Sequence, residues 1–237
     1  MNKIVIDNNK KVEKITIDGD TKVIVECKDI EKEIIFNVKE NSNMNVFDIS
    51  KNTKNKIIYN VEENCNIIIN KISENCSDNI EVNINEENSN INFYSSIINY
   101  EKNSYKQTIN HNNKNSKSKI VNHCINASNN EFKFIVDGTI KRISENTIFN
   151  QDNKIINLKE GKSYILPNLI VDNDEIDASH SAYIGKFDDK VIFYLMTRGL
   201  SEKESNNLLI KSFLLNNMDL EENELEIFNR IIENIEI

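Results

Sequence analysis

The sequence predicts an all-β fold with C-terminal helices: a single-stack parallel β-helix (β-solenoid) capped by about two α-helices. Three observations predict this fold. Short runs of β-branched or alternating apolar residues recur about every ten to thirteen residues through the first half of the chain. Helical periodicity is missing from that half and begins only near Ser201. Turn-like Glu-Asn-small units recur at nearly the same spacing as the apolar runs.

The apolar runs predict strands, because each is bounded by Asn, Asp, Ser, Glu or Lys. They lie at residues 4–6, 15–17, 23–25, 34–38, 44–49, 57–61, 67–69, 80–84 and 91–94. After a polar middle section at 100–130, the β pattern returns at 132–143, 147–149, 155–158 and 164–171. This regular rhythm is typical of a sandwich, a barrel or a solenoid.

The turn-like units favour the solenoid among these three. They are Glu40-Asn41-Ser42, Glu63-Asn64-Cys65, Glu74-Asn75-Cys76 and Glu87-Asn88-Ser89. Asn tolerates the left-handed backbone that tight corners need. Stacked coils would bring such corners together along the axis. A hairpin-based sandwich would more often use Asn-Gly or Asp-Gly turns, and only Asp18-Gly19 and Asp137-Gly138 have that form.

Helix signals are confined to the C-terminal end. Ser201 and Glu204 form a capping-box pattern ahead of apolar residues at helical spacing, Leu208, Leu209 and Phe213. Asp219 is a second predicted N-cap, followed by an apolar stripe of Phe228, Ile231, Ile232 and Ile235. We therefore divide the chain into a β-helix core at 1–192 and a C-terminal helical segment at 193–237.

Composition limits the function classes. The 237-residue chain carries a net charge of −9, which disfavours nucleic acid as a partner. No apolar run approaches membrane-spanning length and the N-terminus has no apolar signal segment. We therefore expect a cytoplasmic protein without membrane contact. Four cysteines in a reducing compartment are expected to be thiols.

Residues 164–218 contain an ordered series of short motifs. They are Pro167-Asn168-Leu169, residues 174–180 (DEIDASH), Ile184-Gly185, Phe193-Tyr194-Leu195, Arg198-Gly199-Leu200 and residues 208–213 (LLIKSF). In this order they resemble the C-terminal core of the SufB/SufD family, scaffold subunits of Suf-type iron–sulfur cluster assembly complexes such as SufBCD. The resemblance implies a non-enzymatic scaffold that dimerises through its β-helix. It also implies a transient iron–sulfur cluster and no nucleotide bound by this chain.

The resemblance implicates His180 in cluster assembly at the subunit interface. A neutral imidazole is a good iron ligand, and a carboxylate such as Asp177 could fix its other nitrogen. The alternative is a histidine hydrogen-bonded at a dimer interface. Two departures make the chain more SufD-like: Ser181 stands where SufB-type members have glutamate, and Asp152 stands where the best register puts their cysteine.

The cysteines form no CxxC pair, which disfavours a self-contained zinc or ferredoxin-type site. Cys124 follows His123, and such a pairing can lower a thiol pKa and make Cys124 a metal ligand, although neighbours in a strand point to opposite faces. Cys65 and Cys76 could stack and share a metal, or be small buried thiols. Cys27 has no predicted partner.

The resemblance further implies that the C-terminal helices dock a SufC-like ABC ATPase. The residues carried over are Arg198, Gly199, Leu208, Leu209 and Phe213. The alternative is that Leu208, Leu209 and Phe213 only cover the solenoid end. The second subunit of the dimer would be another copy of this chain or a SufB-like paralogue.

Two other functions remain open. One is a structural or polymerising cytoplasmic β-solenoid without cluster chemistry, against which the predicted helical cap argues. The other is a pectate-lyase-like enzyme, which would need paired Asp with Lys or Arg on one face and is disfavoured by the sparse basic residues.

Overall fold

A computed structural model describes residues 2–216, 218 and 220–233 of the chain. Within these residues the chain forms fifteen strands followed by three helices. The strands are β1 (Asn2–Ile6), β2 (Val12–Ile17), β3 (Thr21–Lys28), β4 (Glu31–Val38), β5 (Asn43–Lys51), β6 (Lys54–Val61), β7 (Asn66–Glu74), β8 (Ser77–Ile84), β9 (Asn90–Asn99), β10 (Ser104–His111), β11 (Lys117–Asn126), β12 (Phe132–Ile140), β13 (Thr147–Asn157), β14 (Ser163–Val171) and β15 (Ile176–Gly185). The helices are α1 (Asp189–Thr197), α2 (Glu202–Leu215) and α3 (Glu222–Glu233).

The strands form two parallel sheets, and the chain alternates between them. Odd-numbered strands make an eight-stranded sheet in the order β1-β3-β5-β7-β9-β11-β13-β15. Even-numbered strands make a seven-stranded sheet in the order β14-β12-β10-β8-β6-β4-β2. Every coil therefore adds one strand to each sheet, which confirms the predicted β-solenoid. Equivalent positions are 23 residues apart at Asn41 and Asn64 and 31 apart at Asn115 and Asn146.

The core lies between the two sheets. Alternate side chains of each strand point inward, as in β6, where Ile57, Tyr59 and Val61 are buried. Aromatic rings stack from one coil to the next, with 5.0 Å between the ring centroids of Phe36 and Tyr59. Period-two alternation and stacking of like residues together explain why the apolar runs in the sequence predicted strands.

Asparagines form the corners, as the Glu-Asn-small units predicted. Asn41, Asn64 and Asn88 have φ values of 60°, 55° and 62° at one corner, and Asn52 and Asn75 have 51° and 55° at the other. Amide side chains also bond along the axis: Asn64 Nδ2 donates to Asn41 Oδ1 at 3.3 Å and Asn75 Nδ2 to Asn52 Oδ1 at 3.1 Å. Asn therefore serves both as a left-handed corner residue and as a link between coils.

Replacing Asn64 with alanine is expected to lower the free energy of unfolding by about 1 kcal/mol, because alanine is strained at a positive φ. Asn64→Gly should lose much less, since glycine adopts this backbone freely. Asn66→Ala is the matched control, because the Asn66 side chain also forms an axial amide bond, in which it accepts from Asn90 at 3.1 Å, but lies in a strand. Urea denaturation gives the free energy of unfolding of all three variants. Equal losses for Asn64→Ala and Asn66→Ala would contradict the corner explanation.

The helices differ from the prediction in number and position. There are three instead of about two, and α1 begins at Asp189, ahead of the predicted boundary at 193. Helices α2 and α3 pack on the outer face of the eight-stranded sheet rather than over the solenoid end, and α1 contacts α2. The residues that join sheet and helices are Phe47, Ile72, Ile98, Ile125, Ile156, Ile210, Leu214, Phe228 and Ile232. The outward residues of β5 to β13 are apolar at these positions, so the helices cover them.

The predicted capping box is confirmed. Ser201 Oγ accepts from the backbone N–H of Glu204, and the Glu204 carboxylate accepts from the backbone N–H of Ser201. The predicted N-cap at Asp219 and the stripe residue Ile235 lie outside the described residues. In the described part of the chain, no helix is both long and apolar enough to cross a membrane.

The C-terminal end of the solenoid is open. β14 and β15 are the last strands of their sheets, and several of their large apolar side chains are exposed. These are Tyr164, Leu166, Ile170, Val171, Tyr183 and Ile184. A helical cap was expected to prevent end-to-end association, but the helices do not cover these exposed side chains.

Candidate functional site

His180 lies on β15, at the open end. Its strand partner on β13 is Gln151, an inward-pointing buried residue, so His180 occupies an inward position on the last strand of its sheet, and it is exposed. The prediction that Asp177 fixes its second nitrogen is wrong. Residues three apart in a strand point to opposite faces, and Asp177 takes the outer one.

Asp152 and Ser181, the two positions that differ from SufB-type members, are direct strand partners. Ser181 Oγ donates to Asp152 Oδ1 at 2.5 Å, and Lys154 Nζ lies 2.7 Å from Asp152 Oδ2. Burial raises the pKa of Asp152, but its bonds to Lys154 and Ser181 outweigh burial and hold the pKa below its usual value. The carboxylate is therefore a fixed anion on the outer face of β13, bonded to Ser181, the residue that follows His180 on β15.

A shallow cleft of about 320 Å³ runs across this region of β11, β13 and β15. Its polar lining includes Lys119, Asn150, Asp152, Ser179 and His180. The cleft lies on the outer face, toward which Lys119 and Asp152 point, whereas His180 stands at an inward position and borders the cleft from β15. Among the described residues no group of three or more His, Cys, Asp or Glu side chains is arranged to hold a metal ion.

Behind His180, a row of buried amides continues into the solenoid. Asn153 Nδ2 donates to Gln151 Oε1 at 3.1 Å, and Asn122 Nδ2 donates to Asn153 Oδ1 at 2.9 Å and to Gln107 Oε1 at 2.8 Å. The sequence analysis missed this row. Its signal was available, because amides stand at inward positions in the alternation of β10, β11 and β13.

Deeper in the core lies a second polar group that sequence analysis missed, the buried charge cluster of Lys71, Asp48 and Asp78. Lys71 Nζ is 2.9 Å from Asp48 Oδ2 and 3.6 Å from Asp78 Oδ2, and all three side chains are at most 1% exposed. Burial lowers the pKa of Lys71, but the two carboxylates outweigh it and raise the pKa, so the amine stays a cation. Ser50, Ser73 and Asn55 donate to the carboxylates at 2.7 Å.

The cysteines lie in the core. Cys124 is buried among apolar side chains, and burial raises the pKa of its thiol, the opposite of the effect expected from His123. Cys65 and Cys76 do not stack, because the nine-residue strand β7 separates them and places them at opposite corners. Both are buried thiols, with Cys65 Sγ 3.1 Å from Lys39 O and Cys76 Sγ 3.2 Å from Ser50 O. Burial also raises the pKa of Cys27 to about 11.

The five predicted docking residues occupy different environments. Arg198, Gly199 and Leu208 are exposed, and Leu209 is half-buried. Gly199 has a φ of 97°, which the turn after α1 requires. Phe213 faces the sheet, where its ring stacks on His123 with 4.5 Å between centroids. Of these residues, Phe213 therefore anchors α2 rather than lining its outer surface.

Helix α1 adds exposed apolar residues that the sequence analysis did not assign to docking. None of its residues is buried. Phe193 is 67% exposed and Tyr194 is 54% exposed, and the Arg198 guanidinium lies 5.1 Å from the centre of the Tyr194 ring. Together with Leu208 these residues form what we call the α1–α2 surface (Phe193, Tyr194, Arg198, Leu208).

Comparison with known proteins gives a consistent result. The family model described as "SUF system FeS cluster assembly, SufBD core domain" matches residues 4–213. The chain is 43% identical over 49 residues to an iron–sulfur cluster assembly SufBD family protein of Mycobacterium leprae, a segment that covers 20% of this chain and 12% of the relative. It is 46% identical over 48 residues to a SufBD family protein of Pyrococcus horikoshii, covering 20% and 11%.

A third relative is the iron–sulfur cluster assembly protein SufD of Bacillus subtilis, 34% identical over 65 residues, covering 27% of this chain and 15% of the relative. The matched segments thus span no more than 15% of the length of any of these three relatives. The family model, by contrast, extends from β1 to α2 of this chain.

Proposed function

From the membership of this chain in the SufBD family, whose core-domain model matches residues 4–213, we propose that it is a scaffold subunit of a Suf-type iron–sulfur cluster assembly complex and not an enzyme. The observation that carries the proposal is the position of His180. It lies on the last strand, exposed at the open end, beside the bonded pair Asp152–Ser181. A ligand at this position can be shared between two subunits.

The open end is the proposed dimer interface. Among the residues that the structure describes, the outer edges of β14 and β15 have no strand partner, and such edges are usually covered in stable proteins. Exposed Leu166, Ile170, Tyr183 and Ile184 supply apolar surface beside them. A second copy of this chain, or a SufB-like paralogue, would bury this surface and add its own ligands opposite His180. The iron–sulfur cluster would be the transient cargo of that joint site.

The α1–α2 surface is the proposed docking site for a SufC-like ABC ATPase. Its exposed aromatic residues and arginine are the types enriched at the energetic centres of protein interfaces. The ATPase would bind the nucleotide, and this chain would bind none. A complex of this kind would work in the cytoplasm.

The test is anaerobic co-purification with the cognate ABC ATPase, followed by reconstitution with iron and sulfide and visible absorbance. We expect a stable complex whose charge-transfer bands weaken in His180→Ala. Ser179→Ala is the matched control, since Ser179 lines the same cleft but carries no metal-binding nitrogen, and it should retain the bands. A complex without bands would indicate a partner subunit that holds no cluster by itself. No complex would overturn the scaffold proposal.

The polymerising solenoid is kept as a second candidate because the open end at β14–β15 also suits head-to-tail association. Light scattering of the purified chain separates the two. A defined dimer supports the scaffold proposal, whereas growth with concentration into filaments supports the polymer.

A further inference from the structure

The outer face of the sheet caps the C-terminus of α2. A helix leaves its last four carbonyl groups without partners inside the helix. His123 Nδ1 donates to the Phe213 carbonyl at 2.6 Å, and Ser96 Oγ donates to the Leu214 carbonyl at 2.6 Å. His123 and Ser96 are themselves direct partners on β11 and β9. Two neighbouring strands thus hold the end of this helix by side-chain hydrogen bonds.

Of the two residues, His123 makes a second contact with α2 besides its hydrogen bond. It is 2% exposed, and its ring is nearly parallel to that of Phe213, with 12° between the planes. Because Nδ1 donates to a carbonyl oxygen, Nε2 carries the lone pair, and this buried atom has no hydrogen-bond partner among the described residues. The imidazole therefore gives α2 both a hydrogen bond and a stacking contact, and its position limits where Phe213 can lie.

The same histidine lies at one end of a row of neighbouring residues that leads to the cleft. Its partner on β13 is Lys154, which is bonded to Asp152, and Asp152 accepts from Ser181 on β15. Ser181 directly follows His180 in the chain, so the row ends beside the histidine. The row crosses β11, β13 and β15 on their outer faces, and only its His123 end lies beneath the end of α2.

We propose that His123 is a positioning residue that couples the seating of α2 to the Asp152–Ser181 pair, and through it to the His180 strand. Displacement of α2 would move His123, change the space available to Lys154 and so shift the Asp152–Ser181 bond. The role of α2 as a docking helix rests on the proposed function, but the coupling itself is a property of the isolated chain. Through this coupling, an ATPase bound at α2 would change the geometry of the cleft.

The experiment measures hydrogen–deuterium exchange of the α2 amides in the isolated protein. Asp152→Asn removes the charge that holds Lys154 and is expected to speed exchange across residues 205–215 by roughly two- to thirty-fold, the range of typical coupling energies. Ser179→Ala is the matched control. Ser179 Oγ donates to Asn150 Oδ1 at 2.6 Å between the same two strands, but Asn150 pairs with Lys119 on β11, whereas Asp152 is bonded to Lys154, the β13 partner of His123.

Two variants of His123 test whether this residue carries the coupling. His123→Phe retains a ring for stacking and removes the donor, and His123→Asn retains a donor and removes the ring. In each background we expect Asp152→Asn to have a smaller effect on α2 exchange than in the wild type. An undiminished effect in both, an equal effect from Ser179→Ala, or no effect of Asp152→Asn at all would overturn the coupling. If the coupling is present but the ATPase does not co-purify, the docking role fails while the coupling stands.

Discussion

Replacing Lys71 with methionine is expected to lower the free energy of unfolding by about 3–5 kcal/mol at neutral pH, the cost of leaving buried charges without their partner. Lys71 is the only cation of the buried charge cluster, and its ammonium lies 2.9 Å from Asp48 and 3.6 Å from Asp78. Methionine has a similar length, so little cavity is created. Urea denaturation followed by circular dichroism gives the difference from the wild type.

The loss should depend on pH in a defined direction. Burial raises the pKa of Asp48 even with Lys71 present, and removing the cation takes away an interaction that opposes this rise. A carboxyl whose pKa is higher in the folded than in the unfolded state binds its proton more tightly when folded. The stability that such a carboxyl contributes is complete below its pKa in the unfolded state, about 3.9. This stability is lost as the pH rises through the pKa in the folded state. The difference in the free energy of unfolding between Lys71→Met and the wild type should therefore become smaller as the pH is lowered.

Two variants test the electrostatic explanation. Lys71→Met combined with Asp48→Asn should recover part of the stability, because one buried charge is removed. Lys54→Met is the matched surface control: Lys54 also pairs with a carboxylate one coil away, Glu31 at 3.1 Å, but both side chains are more than 70% exposed, so it should change stability little. If the double variant were no more stable than Lys71→Met at neutral pH, unpaired charge at Asp48 would not explain the loss.

The buried charge cluster also shows where sequence reasoning stopped. Strand spacing and the Asn corners depend on the local backbone, so period-two alternation and Asn41 or Asn64 were enough to predict the solenoid. Lys71 stands in an apolar run at an inward position, and its partners Asp48 and Asp78 lie one coil before it and at the start of the next strand, β8. Such a pairing depends on register between coils, which a single sequence does not specify.

The candidate site was predicted to a similar extent. The motif around His180 pointed to this residue, whose role stays a prediction, and the pairing of Asp152 with Ser181 between β13 and β15 was not predicted. Assigning Asp177 to His180 failed because proximity in the chain was taken for proximity in space. The side-on packing of the helices was not predictable, because apolar residues such as Ile98 and Ile125 follow inward-facing neighbours and give no separate periodic signal.

Replacing Phe193 with alanine is expected to weaken binding of the ABC ATPase by about 2–4 kcal/mol, or roughly thirty- to thousand-fold, the range found for aromatic residues at the centre of an interface. Phe193 is 67% exposed on a helix that buries none of its residues. The folded chain gains little from this side chain, so its stability should not change. Titration of the labelled ATPase with each variant measures affinity, and thermal unfolding checks stability.

Ile170→Ala is the matched control, because Ile170 is similarly exposed, at 62%, but lies on β14 at the open end. We expect it to weaken self-association and leave ATPase affinity unchanged, with the reverse pattern for Phe193→Ala. This crossed result is expected because the two residues lie on different parts of the fold: α1 contacts α2, which packs on the outer face of the eight-stranded sheet, whereas Ile170 lies on the last strand of the seven-stranded sheet. In the proposed scaffold, the ATPase would stay bound while the dimer interface moves, which requires two separate surfaces. Loss of both properties in either variant would mean that the two surfaces are one.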